Sequence, residues 1–159
     1  MRRLFCCLLF LPLLSACTND GAAYLVNGVQ QNNISIVRES LLWDKQVSLY
    51  VVVSRIPDCQ RRHFVQKASP RAHIELWEFK PGEGTYILKI GNELYVTETR
   101  TCESFAQVDE HDEAIPDGNL GKQLGTFGLI NGVFSFVPME EPEEESAAAT
   151  AGEGGERPN

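Results

Sequence analysis

The chain offers no apolar run long enough to cross a bilayer as a helix: the stretch from Leu4 to Leu14 stops well short of the roughly 20 residues that a spanning segment needs. It holds three histidines, His63, His73 and His111, and none stands in a local setting that marks a nucleophile with its base. Ser54, Ser69 and Ser104 are equally undistinguished. No CxxC pair is present, which removes the commonest redox and zinc signature. Positive charge is scarce, with 14 Lys and Arg against 22 Asp and Glu and a formal net charge of −8. A pI near 4.9 without a basic face of interleaved aromatics excludes nucleic acid as a partner. There is no internal repeat and no long amphipathic helical period.

What is present begins at the N-terminus. Arg2 and Arg3 precede the apolar stretch, and the small residues Ser15 and Ala16 follow it. That order is the layout of a secretory signal, so residues 1–16 are set apart from the fold. An ordinary cleavage site has no use for a thiol at the next position, yet Cys17 stands there. The sequence "LSAC", Leu14 to Cys17, resembles the lipobox of bacterial lipoproteins. The resemblance implies that Cys17 becomes the first mature residue, carrying a diacylglycerol on sulfur and an acyl chain on its amino group. At about 0.8 kcal/mol per buried methylene, two or more chains anchor firmly where one does not. Thr18, in place of an aspartate, implies the outer membrane. Cys6 and Cys7 fall within the leader.

Removing Cys6, Cys7 and Cys17 from five cysteines leaves two, Cys59 and Cys102. In the oxidising compartment that the resemblance implies, an isolated pair reads as one disulfide. A redox pair or two metal-ligating thiols find no supporting spacing.

The remaining chain fits one domain. Residues 17–23, "CTNDGAA", read as a short lipidated tether, and 24–138 as an all-β domain, a small antiparallel sandwich or barrel-like meander. "KQVSLYVVVSR" (Lys45 to Arg55) alternates strictly and belongs at a sheet centre. "AHIELWEF", "TYILKI" and "ELYVTET" are separated by "KPGEG" and Gly91-Asn92 and form a meander, with Tyr86, Leu88, Ile90, Leu94 and Val96 expected on one apolar side. A helical turn is expected near Glu103 to Val108, and an Asn131-Gly132 hairpin joins the last strands. Residues 139–159 lack apolar periodicity and are expected to be disordered; positions 140–159 hold seven glutamates and one arginine.

Candidate sites are few. Arg55, Arg61, Arg62, Lys67 and Arg71, with His63 among them, reverse the local charge against Asp58 alone, a candidate patch for an envelope protein, an anionic glycan, lipid headgroups or the chain's own acidic tail. "DEHDE" (Asp109 to Glu113) lacks the ligand spacing of a calcium loop and reads as a solvated acidic loop. Trp77 is expected to be at least partly buried, while Trp43 suits either core or contact surface. No catalytic residue, metal ligand or cofactor is expected beyond the covalent lipid on Cys17. The functional expectation is a lipid-anchored, non-catalytic binding or structural module on the periplasmic face of the outer membrane. The alternatives are a small envelope hydrolase or metal-dependent enzyme assembled from distant loops, or a carrier of an apolar ligand.

Overall fold

The computed structural model describes residues 17–41, 44–80, 83–109, 115 and 118–139. The leader, Trp43, His111 with most of the "DEHDE" loop, and the tail at 140–159 lie outside the described residues. Ten strands follow in order: β1 (Cys17–Leu25), β2 (Asn32–Leu41), β3 (Val47–Arg55), β4 (Cys59–Ala68), β5 (Ile74–Phe79), β6 (Thr85–Ile90), β7 (Glu93–Glu98), β8 (Phe105–Val108), β9 (Lys122–Ile130) and β10 (Val133–Pro138). They form two antiparallel sheets, ordered β1-β2-β3-β4 and β10-β9-β5-β6-β7-β8. No α-helix occurs among the described residues.

The alternation in β3 explains its central place. Val47, Leu49, Val51 and Val53 are all buried and face Ile74, Leu76, Tyr86, Leu88 and Phe127 of the other sheet in one core cluster. At about 1.5–3 kcal/mol per fully buried large apolar side chain, this inner layer makes the two sheets a sandwich. Asn27 and Gly28 (φ 53° and 73°) and Asn131 and Gly132 (φ 51° and 83°) take the left-handed backbone that tight reversals need.

The two edges of the sandwich are closed by different chemistry. At one, β1 lies beside β10, with Tyr24 packed on Phe136 at 5.2 Å between ring centroids. Arg38 of β2, only 5% exposed, donates Nε and Nη2 to the Asp20 carboxylate at 2.7 and 2.5 Å. Its Nη1 donates to the Pro70 carbonyl at 2.6 Å, and its guanidinium lies 4.1 Å from the centre of the Phe134 ring. At the other edge the disulfide Cys59–Cys102 joins β4 to the segment after β7. There His63 Nε2 donates to the Cys102 carbonyl at 3.1 Å, and the His63 ring stacks on Phe105, which stacks on Tyr95.

Several expectations are corrected. Residues 18–23 are no tether: they belong to edge strand β1, paired from Cys17↔Leu41 to Leu25↔Asn33. The polar stretch from Cys59 is a ten-residue strand, held by pairing with β3 although its own sequence carries no clean alternation. Residues 105–108 form strand β8 and not a helical turn, because Leu94 to Thr97 supply a pairing edge. The meander has two apolar faces. The two-residue turn at Gly91-Asn92 pairs Leu88 with Tyr95 and Ile87 with Val96, so Leu94 and Val96 turn outward with Ile87. There they form a second cluster with Ile115, which is 1% exposed. Ile115, in the connection between β8 and β9, thus supplies an apolar plug. Trp77 is partly buried against that cluster, as expected.

In a soluble form starting at residue 17, Arg38→Ala should cost about 2–3 kcal/mol in urea unfolding, less than a fully buried pair because Asp20 is over a third exposed. Replacing both Cys59 and Cys102 by serine opens a loop of 43 residues and should lower stability by up to about 4 kcal/mol, read as a fall in thermal midpoint.

Candidate functional site

Strand register defines two poles. Cys17↔Leu41, Val47↔Ala68 and Ile130↔Val133 mark one; Leu25↔Asn33, Arg55↔Cys59, Thr85↔Glu98 and Gly125↔Pro138 mark the other. At the second pole, away from Cys17, a cleft of about 480 Å³ opens between the sheets. The β1–β2 turn brings Asn27 and Asn32 to one wall, and the end of β3 brings Arg55. The facing wall carries Glu78 from β5, Glu83 from the β5–β6 connection, and Arg100 from the segment after β7. Val26, Gly84, Tyr86 and Thr99 complete the lining.

The turns hold these groups in place through hydrogen bonds. Ile56 N–H donates to Gln31 O at 2.9 Å, which ties the end of β3 to the β1–β2 connection. Arg55 Nε lies 3.4 Å from Asp58 Oδ2. Thr99 N–H donates to Gly84 O at 2.9 Å. Gly84 has φ +72°, and a Cβ there would stand 3.1 Å from Thr99 Oγ1, so this approach requires glycine. Glu98 organises the loop that follows: its Oε2 accepts from the N–H groups of Arg100 and Thr101 at 2.6 and 2.8 Å. Its Oε1 accepts from Thr101 Oγ1 at 2.6 Å and from Glu103 N–H at 3.0 Å. One carboxylate thus sets the path that presents Arg100 to the cleft and Cys102 to its disulfide.

Burial raises the Glu98 pKa, but the hydrogen bonds from Thr101, Ser104 and Arg100 outweigh it and hold the carboxyl at about 2. Tyr86 moves the other way. Burial, then the nearby Glu78 carboxylate and Tyr24, push its phenol well above the ordinary range, so it stays neutral. Burial and Glu78 raise Tyr24 as well. The side-chain oxygen of Asn32 is buried without a partner among the described residues. Two guanidiniums, two carboxylates, two amides and a neutral phenol suit polar recognition; the lining contains no imidazole or thiol.

The basic patch read from the sequence is dispersed. Arg55 lies in the cleft. Arg61 and Arg62 are consecutive in a strand and so point to opposite faces: Arg61 approaches Glu103 at 3.8 Å, whereas Arg62 lies 3.8 Å from the Tyr50 ring centre and 2.8 Å from Glu39. Lys67 and Arg71 sit at the Cys17 pole, near the Val47↔Ala68 pair and the start of β5. Of the histidines, His63 is engaged in the disulfide edge and His73 lies against Gly128. Ser54 is buried and accepts from Gln60 Nε2 at 2.9 Å. Among the described residues no three His, Cys, Asp or Glu side chains gather to hold a metal.

No protein-family model, curated protein or solved structure matches the chain. Asn32, Glu98 and Arg100 were not singled out in the sequence, and Tyr86 was read only as part of an apolar face. The signal for Glu98 was the run "ETRTCES", an acid followed by hydroxyl residues whose N–H groups it could collect.

Because the folded pKa of Glu98 lies below its ordinary 4.5, its stabilisation is complete above about that value and drains away as pH falls toward 2. Glu98→Gln should lower the thermal midpoint at pH 7 and flatten its decline between pH 4.5 and 2, measured by circular dichroism melts across that range.

Proposed function

We propose that this protein is a lipid-anchored binding module of the bacterial envelope, attached through Cys17, that captures a protein partner at the pole away from the membrane. The carrying observation is the distribution of exposed apolar side chains. Leu25, Val29, Ile56, Val137 and Met139 are all exposed, and strand register puts all five at the cleft pole. Solvent-exposed apolar groups concentrated around a concave site mark an interaction surface.

The mixed charges of the cleft favour a polypeptide over an anionic glycan. Arg55 and Arg100 match carboxylates while Glu78 and Glu83 match amines, and a protein segment supplies both. Away from the cleft the space between the sheets is filled by core side chains, which supports binding at a surface over carriage of an apolar ligand inside. The recognition is non-catalytic on this reading, with the groups around the cleft acting as hydrogen-bonding and ionic contacts.

Photo-crosslinking in the native cell tests the proposal. A benzophenone side chain at position 56 or 29 should give a discrete adduct with one envelope protein, and the same group at position 64, exposed on the outer face of β4, should not. Arg100→Glu should abolish the adduct while leaving the thermal midpoint within a degree or so, since Arg100 is exposed. Cys17→Ser should move the protein from the membrane to the soluble fraction. An absence of adducts at both positions, or a membrane-retained Cys17→Ser form, contradicts the reading.

A further inference from the structure

The pole that carries Cys17 has its own surface, and we infer that it rests directly on a glycerophospholipid bilayer, with the β9–β10 hairpin tip entering the headgroup region. The inference builds on the lipidation of Cys17. Its starting point is the absence of slack: Cys17 opens β1 and is already paired with Leu41. Three residues on, Asp20 is locked to Arg38, which also grips Pro70 and packs on Phe134. Acyl chains attached at Cys17 would leave from the body of the sandwich itself, so the body cannot stand off from the lipid surface.

The neighbouring surface has the composition to meet it. β1 and β10 run in the same direction along this edge, since Phe134 lies at the level of Arg38 and Phe136 at the level of Tyr24. The Asn131-Gly132 turn therefore projects at the Cys17 pole, flanked by Ile130 and Val133, which are 45% and 64% exposed. Exposed Lys67 and Arg71 stand at the same pole, and neither side chain has an ion-pair partner among the described residues. A pair of apolar side chains on a pole that also carries two such cations fits an interface of acyl chains and anionic headgroups. Asp44 and Lys45, in the connection between β2 and β3, carry opposite charges and add no net charge to this pole. Of the other described acids near this pole, Glu39 pairs with Arg62, and Glu93 and Asp109 belong to β7 and the end of β8, at the far side of the six-stranded sheet from β10. Lys67, on β4, stands across the four-stranded sheet from β1, whereas Arg71 follows Pro70, which Arg38 holds; the cations thus span the pole, and the apolar tip marks its β10 side.

The test uses the full lipidated protein in vesicles of phosphatidylethanolamine and phosphatidylglycerol. A nitrobenzoxadiazole label is placed through Val133→Cys or, at the opposite pole, Ile56→Cys, both exposed positions. The label at 133 should shift to the blue and lose emission when the acyl chains are brominated, while the label at 56 should do neither. Lys67→Glu with Arg71→Glu should weaken the effect at 133 without releasing protein from the vesicles, and added salt should do the same. Protein that floats with the vesicles but shows no quenching at 133 overturns the inference and leaves the anchor intact. A label at 133 that is shielded from dithionite yet unquenched means that a second copy covers the tip, which also overturns it. Protein that does not float removes the anchor and the inference together.

Discussion

Arg38 is the residue on which the architecture turns. A guanidinium that is 5% exposed must satisfy its donors inside the protein or carry a desolvation cost of several kcal/mol. Here the acceptors are spread over separate parts of the chain. Asp20 comes from β1, Pro70 from the connection between the sheets, and the remaining face is covered by Phe134 of β10. Both sheets meet at this one planar group. Lysine could not replace it, because an ammonium lacks the fork that engages a carboxylate with two nitrogens while a third reaches a carbonyl. The opposite edge is closed covalently by Cys59–Cys102 and by the His63, Phe105 and Tyr95 stack. Between these two closures the inner faces have no freedom to slide.

Rigid closure has a functional consequence, because it fixes which end of the sandwich is which. β1 begins at Cys17 and ends at Leu25 beside the cleft turn, so a single nine-residue strand connects the proposed anchor to the proposed binding site. At about 3.4 Å per residue this strand sets the two poles roughly 30 Å apart. On the proposed reading the partner is met at that height above the lipid surface, with little latitude. A flexible tether would have blurred this distance; the pairing of β1 with β2 removes it. Glu98 plays the corresponding local role at the cleft, where one ionised carboxylate gathers four N–H groups and a hydroxyl and so gives the loop bearing Arg100 a definite shape.

Much of the sheet was legible in the chain. β3 could be read from its strict alternation, and the last hairpin from Asn131-Gly132, because both signals are local: one is a side-chain period and the other a backbone preference. β4 could not, since "CQRRHFVQKA" alternates poorly and folds as a strand through its pairing with β3. β1 was missed for the same reason, "TNDGAA" having low intrinsic strand preference and relying on β2 and Asp20. The parity error in the meander is more instructive. A two-residue turn already determines that Leu88 pairs with Tyr95, and following that register would have turned Leu94 outward. Of the cleft, only Arg55 had been singled out, as one member of a patch that does not exist as a unit. Strand alternation separates Arg61 from Arg62, and strand length separates Arg55 from Lys67.

By itself the sequence determined the all-β class, the reversals at Gly91-Asn92 and Asn131-Gly132, and the pair of cysteines available to join. These depend on properties a residue keeps wherever it is placed: β-branching, a tolerance for positive φ, and a thiol. The tertiary structure alone decided that Arg38 should be buried, that Ile115 should plug the outer face, and that Asn32, Arg55, Tyr86 and Arg100 should line one cleft. Those outcomes depend on register and on which edges meet, and they join positions tens of residues apart whose relation no local period encodes.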